Sequence, residues 1–328
     1  MSRRERVVDV MRASQQALVG GFEHVDGEGR FREHTWDRPG GGGGQARVLE
    51  GGRVFERAGV NVSVVYGERV PESLARQHPA TEGKPFFATG VSLVLHAVNP
   101  YVPAFHANFR YFETGTEDDD GLWWFGGGAD MTPSYPFAED AVHFHRTLRS
   151  LCERHPGTAD YAGWKAVCDD YFTIRHRGEM RGVGGIFFDE ISAPEAGDFA
   201  AELAFVEDGL GTLLEGYLPI VERRAETPYG ERERDWQLSR RGRYAEFNLV
   251  YDRGTVFGLQ TQGNIEAILM SMPPLARWTF DLRPEPGSAE EAALAFFQPR
   301  DWAGAEAEAL AAGDPPTGGV SPGGGGDR

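Results

Sequence analysis

The chain has 328 residues, with 33 Lys and Arg against 50 Asp and Glu, for a net charge of −17. That balance disfavours a nucleic-acid partner, whose affinity comes mainly from neutralising phosphates, while 40% hydrophobic residues over this length suffice for a sizeable core. Cys152 and Cys168 lie in helical patterning without ligand-type spacing and read as reduced thiols of a cytoplasmic protein; the basic N-terminus carries no continuous apolar segment, and no window approaches the roughly 20 apolar residues of a spanning helix.

Val7, Val8, Met11, Ala13, Ala17 and Leu18 predict an amphipathic helix over 5–18, closed by Gly20, Gly21, Asp26 and Gly27. The five glycines at 40–44, after Pro39, read as a mobile low-complexity insert. Two β-rich segments follow at 54–66 and 85–98, separated by a helical stretch at 73–77. In the second, alternation puts Ser92, Val94 and His96 on one face and Val91, Leu93 and Leu95 on the other. The stretch 105–133 is the one around which the rest is organised. As a strand it places His106, Asn108 and Arg110 on one face and Phe105, Ala107, Phe109 and Tyr111 on the other. The acidic segment 116–121 reads as a hairpin connection and 122–125 as a second aromatic strand. Gly126, Gly127 and Gly128 then mark a close approach of ligand or backbone just before Asp130.

A helical region begins at Pro136 and carries His143 and His145, which diverge by about 200° on a helix, so only one can face a given ligand. A second helix spans about 160–176, after which Gly182, Gly184 and Gly185 break it and 186–188 return to strand. Long helices are predicted over 194–226 and 230–240, a β-rich segment over 244–280, a short helix over 289–297 and a disordered Gly/Pro-rich tail over 313–328. Strands joined by short loops, with helices between and after, predict an α+β fold with a large, mainly antiparallel sheet covered by helices, in one domain over 1–312.

Arginines gather locally in this acidic chain: Arg175, Arg177 and Arg181, then Arg240, Arg241 and Arg243. Guanidinium is the preferred two-point partner of carboxylate or phosphate, and ion pairs with the chain's own acids are the competing reading for any one of them. Arg110 stands apart, since it shares a strand face with His106 and Asn108. His96, His106, His145 and His176 are candidates for metal ligands, acid–base groups or satisfied core residues, and no HExxH or CxxC spacing accompanies them. Asp130 reads either as a base or partner of an N–H-bearing ligand, or as a turn cap. GxSxG, P-loop and strand-linked GxGxxG motifs are absent.

The runs HANFRYFE, WWFGGGADMTPSY, CDDYFTIRHRGEMRGVGGIFFDE and GRYAEFNLVYDRGTVFGLQTQGNIEAILMSMPPLARW resemble the oxygen-dependent coproporphyrinogen III oxidase family over about 54–302. The resemblance implies a flat antiparallel sheet flanked by helices on both faces, and a homodimer with contacts in about 244–278. It also implies oxidative decarboxylation of two propionates of coproporphyrinogen III to vinyls, giving protoporphyrinogen IX, with O2 as co-substrate and no organic cofactor. Residue by residue, it makes Ser92, Asn108, Phe109 and Arg110 substrate-binding, and His106 a proton donor. Asp130 becomes the partner of the pyrrole N–H groups. His96, His106, His145 and His176 become the ligands of a divalent metal, should one take part. The loop Gln262, Gly263, Asn264 departs from an arginine-ending pattern, which leaves only backbone contacts there. A tetrapropionate substrate would account for arginines gathered in an acidic chain. A metal-dependent oxygenase and a tetrapyrrole-binding protein are the alternatives.

Overall fold

The computed structural model describes residues 1–116, 121–191, 197–260, 264–304, 307, 310 and 311. Its centre is a seven-stranded sheet: β1 (Arg32–Asp37), β2 (Gly42–Glu50), β3 (Phe55–Gly67), β4 (Phe86–Ala97), β5 (Ala104–Thr114), β6 (Trp123–Thr132) and β9 (Gly184–Phe188), in that spatial order. Every neighbouring pair is antiparallel, so the α+β expectation holds. A separate two-stranded hairpin pairs β7 (Thr173–Ile174) with β8 (Glu179–Met180).

One sheet face is the main core. There Phe105, Ala107, Phe109 and Tyr111 of β5 pack with residues of α1 (Arg3–Asp26), α3 (Ala138–Arg154) and α5 (Phe199–Arg224). Tyr217 of α5 stacks on Phe105 at 4.6 Å between centroids and donates its hydroxyl hydrogen to the Pro103 carbonyl at 2.8 Å. Helix α1 does not stop at Gly20 and Gly21, where glycine content predicts its end. A Cβ at Gly21 would sit 2.8 Å from Leu214, so the glycine serves close helix packing and not termination. The helix ends at Asp26, fully buried, whose carboxylate accepts backbone N–H groups of Gly29, Arg53, Val54 and Phe55 and so ties the helix end to β3.

The other face is covered by α6 (Glu231–Val250) and α8 (Ile265–Leu269), with α7 (Arg253–Gln260) between them in sequence. Shorter helices are α2 (Glu72–Gln77), α4 (Tyr161–Tyr171) and α9 (Ala289–Leu294). The β-rich segment predicted over 244–280 is therefore helical in its first half and carries no strand among its described residues. Its aromatic and β-branched composition imitates a strand, but burial at Arg240, Arg241, Tyr244, Phe247 and Asn248 follows the helical three-to-four spacing.

The glycines read as a mobile insert instead build a hairpin. Gly41 and Gly42 adopt positive φ at the turn, and Gly44 faces Trp36 so closely that a Cβ would strike its ring at 2.0 Å. The centre of the predicted 116–121 connection and the tail 313–328 lie outside the described residues. The two ends of that connection are joined by the Thr114 N–H to the Leu122 carbonyl at 2.8 Å.

Candidate active site

Strand β5 alternates half-exposed and buried, residue by residue, so His106, Asn108 and Arg110 line the face opposite the core. The register then fixes their neighbours. Arg110 lies between Gly90 and Gly126, Asn108 between Ser92 and Gly128, and His106 between Val94 and Asp130, which in turn pairs with Gly185. Gly90, Gly126, Gly128 and Gly185 thus leave a nearly bare backbone floor among the polar side chains. None of these positions has room for a Cβ: at Gly128 it would come within 2.5 Å of the Ile186 carbonyl oxygen. Beyond Arg110 the floor ends in a ladder of rings, with Phe86 stacked on Phe112 at 5.2 Å and Phe112 on Trp124 at 4.7 Å.

At the other end is a chain of charged groups. His106 Nδ1 lies 2.7 Å from Asp130 Oδ1, and Arg181 Nη2 donates to Asp130 Oδ2 at 2.7 Å while Arg181 Nη1 donates to Asn248 Oδ1 at 2.7 Å. The Arg181 guanidinium is enclosed by the rings of Phe172, Tyr244 and Phe247 at 4.2, 4.5 and 4.9 Å, where cation–π attraction replaces part of its lost hydration. Burial alone would raise the Asp130 carboxyl, but the Arg181 charge and the His106 hydrogen bond outweigh it and hold that group below its ordinary range. An ionised carboxylate only accepts, so His106 carries a hydrogen on Nδ1, and Nε2 is the ring nitrogen left to meet a ligand. The imidazole is about one-fifth exposed, whereas the Asp130 side chain is 2% exposed. His106 is therefore the member of the pair that a ligand meets first.

Arg110 forms the opposite end. Its Nη1 donates to Asn108 Oδ1 at 3.0 Å, and its other branch crosses Gly126 to pair with Asp189, just after β9. Arg253, at the start of α7, approaches the second oxygen of Asp189 at 3.4 Å and stacks over Tyr171.

The remaining predicted site residues distribute as follows. Ser92 lies on the floor beside Asn108. Phe109 points into the core, as its odd position requires, and meets Phe188 edge-on at 5.9 Å; it supports the floor from behind and does not line it. Asn264 caps α8 by accepting the Ala267 N–H at 3.1 Å, while Gln262 and Gly263 lie outside the described residues.

The four histidines are not brought together. His96 is buried under α6 and contacts the Ser271 carbonyl at 2.9 Å; its burial and the nearby Arg241 charge push it down to about 3. His145 lies on the core side between the Tyr161 hydroxyl and the Val183 carbonyl, and burial, with Lys165 nearby, likewise pushes it down to about 3. His176 is exposed, between Tyr251 and Glu246. Among the described residues no three His, Cys, Asp or Glu side chains converge as metal ligands, so these four histidines do not together form a divalent-ion site. His143 contacts the Glu215 carbonyl at 3.1 Å in a groove of about 530 Å³ between α3 and α5, which holds none of the groups described above.

Most of the clustered arginines serve the protein's own acids: Arg175 pairs with Asp170, Arg177 with Glu246, Arg240 with Glu179, Arg241 with Glu56 and Arg243 with Glu246. Arg181 is the exception that reaches the site. Asn248 and Asp189 carry no motif that sequence reasoning could use, although the i+4 relation of Asn248 to Tyr244 becomes visible once the segment is read as helix.

Among the described residues no helix is long and apolar enough to cross a membrane. The sequence model of the coproporphyrinogen III oxidase family matches residues 6–302, nearly the whole chain. A polar floor bounded by a buried carboxylate–imidazole pair and an arginine suits the N–H-bearing, carboxylate-bearing tetrapyrrole that this family decarboxylates oxidatively in porphyrin biosynthesis. The chain belongs to the coproporphyrinogen III oxidase family.

Proposed function

We propose that the protein is the oxygen-dependent form of the enzyme, converting the propionates of two pyrrole rings of coproporphyrinogen III to vinyls and giving protoporphyrinogen IX. The observation that carries this reading is the His106–Asp130–Arg181 chain at one end of the glycine floor with Arg110 at the other. Four strand residues separate His106 from Arg110, about 13 Å, a span for an extended, multi-ring ligand with a carboxylate at its edge. The oxygen-independent chemistry needs an iron–sulfur cluster held by several closely spaced thiolates. The two cysteines of this chain, both buried, are not such a set.

In the mechanism, the tetrapyrrole lies on the floor with a pyrrole N–H toward His106 Nε2. Both Asp130 oxygens are occupied by protein partners, so Asp130 acts on the N–H through His106: the imidazole takes the proton and Asp130 stabilises the imidazolium. Arg181 keeps Asp130 anionic for that task. The electron-rich ring then reduces O2. For each propionate one O2 gains two electrons and two protons to become H2O2, the carbon next to the ring loses a hydrogen, the carboxyl leaves as CO2 and the vinyl forms. Arg110 holds a propionate carboxylate by two-point hydrogen bonding. Since the histidines do not converge, no step is routed through a metal.

A cytoplasmic homodimer through about 244–278 belongs to the same proposal. Its support is the number of exposed apolar side chains in that segment, with Leu249, Val250, Ile265, Leu275 and Trp278 each more than half exposed, surface that a partner would cover. The test is turnover of coproporphyrinogen III with and without air, counting O2 consumed, CO2 released and product mass. Anaerobic turnover at the aerobic rate would overturn the oxygen-dependent reading, and binding without turnover in air would leave a tetrapyrrole carrier.

A further inference from the structure

Asp189 holds two solvent-accessible arginines at the open end of the floor. One of its oxygens pairs with Arg110 and the other lies 3.4 Å from Arg253. Both guanidiniums also approach the Phe187 ring, Arg110 at 5.8 Å and Arg253 at 5.9 Å. Arg110 reaches Asp189 across the bare backbone of Gly126, where a Cβ would come within 3.0 Å of its Nη2. The guanidinium therefore spends Nη1 on Asn108 and Nη2 on Asp189 and does not present its two-point face upward to a ligand. The ion pair is solvent-accessible, with 35% and 55% of the two side chains exposed, so it can open at small cost.

We propose that Asp189 is an internal carboxylate that occupies Arg110 and Arg253 in the free protein and is displaced by a propionate of the substrate. It is a specificity-determining residue, since an arriving molecule gains from this end of the floor only the excess of its own carboxylate contacts over those of Asp189. A ligand with one weakly placed carboxylate gains nothing there, whereas one anchored elsewhere on the floor, and so presenting its carboxylate at high local concentration, wins the exchange. The inference rests on the reading of Arg110 as a propionate partner.

The test is fluorescence titration of the intact protein with coproporphyrin III, the oxidised form of the tetrapropionate, for the wild type, Asp189→Asn, Arg110→Ala and the double variant. Releasing an exposed ion pair predicts binding about two- to fivefold tighter in Asp189→Asn, with a fall in KM for coproporphyrinogen III by a similar factor. The gain should shrink in the Arg110→Ala background, because one of the two arginines it acts through is gone. A merely structural Asp189 would not produce that coupling. Unchanged or weaker binding in Asp189→Asn, with Arg110→Ala weakened, overturns the displacement. Wild-type affinity in Arg110→Ala instead overturns the propionate reading itself.

Discussion

The two ends of the polar floor use the same chemistry, an arginine against an aspartate, in opposite ways. At the deep end Arg181 and Asp130 are 1% and 2% exposed and surrounded by rings; at the open end Arg110 and Asp189 are 35% and 55% exposed. In water the attraction between such charges is weak and the pair exchanges partners readily. Out of water each ion has lost its hydration, so removing one strands the other. Burial thus makes the deep pair a fixed electrostatic element and leaves the open pair free to be traded for a ligand.

The largest effect should come from stranding the deep carboxylate. Arg181→Met keeps much of the side-chain volume but leaves Asp130 buried without its counter-charge, a change that costs about 3–5 kcal/mol of folding stability; urea unfolding measures it, and a loss below 1 kcal/mol would show that water reaches the pair. Next comes His106→Gln, which can still donate to Asp130 but offers no basic nitrogen. It should leave stability nearly unchanged and lower kcat at least about 100-fold, equivalent to roughly 2.7 kcal/mol. Near-normal single-turnover rates in this variant would return the role of base to Asp130.

Acid should also attack the deep end. His96, facing the charges of Arg241, Arg57 and Arg181 as well as the Ser271 carbonyl, is pushed by burial to about 3 from an ordinary 6.5. Below about pH 6.5 the unfolded chain binds a proton that the folded protein refuses, so stability falls as pH drops toward 3, by roughly 1–2 kcal/mol at pH 5. Unfolding midpoints against pH should show a shallower slope in His96→Gln; an unchanged slope would mean that His96 is not held neutral. At the open end effects are smaller. Arg110→Lys keeps charge but loses the planar fork and should cost about tenfold in turnover, roughly 1.4 kcal/mol, while Arg110→Ala should alter folding stability by less than about 1 kcal/mol. A larger stability loss there would erase the distinction between the two ends.

Much of this site was readable before the structure because a strand has a rigid two-residue period. His106, Asn108 and Arg110 declare a shared face, and the following glycines and Asp130 declare a neighbour that must come close. What alternation cannot reveal is a partner supplied from far along the chain. Arg181 is 51 residues from Asp130 and Asn248 is 67 from Arg181, and Asn248 lies at the end of a helix whose last turns, rich in aromatic and apolar residues, imitate the start of a strand. The glycine run at 40–44 misleads for a related reason: composition records flexibility in the unfolded chain, whereas Gly44 is required by Trp36 packed against its backbone. The histidines illustrate the remaining gap, since residue type is visible in a sequence but convergence on one point is not.

The meander of β1 to β6 places each strand against the next in sequence, so His106 and Asp130 meet within a single hairpin. Contacts of short sequence separation form early and cheaply in folding, while those that close longer loops come later. Until Arg181 and the ring-bearing helix α6 arrive, Asp130 can remain hydrated at little cost, so its burial waits on their docking. A clamp assembled from such long-range contacts is expected on the native side of the folding barrier. Its loss should quicken unfolding far more than it slows folding, making this buried charge a latch on the lifetime of the folded enzyme as well as part of its chemistry.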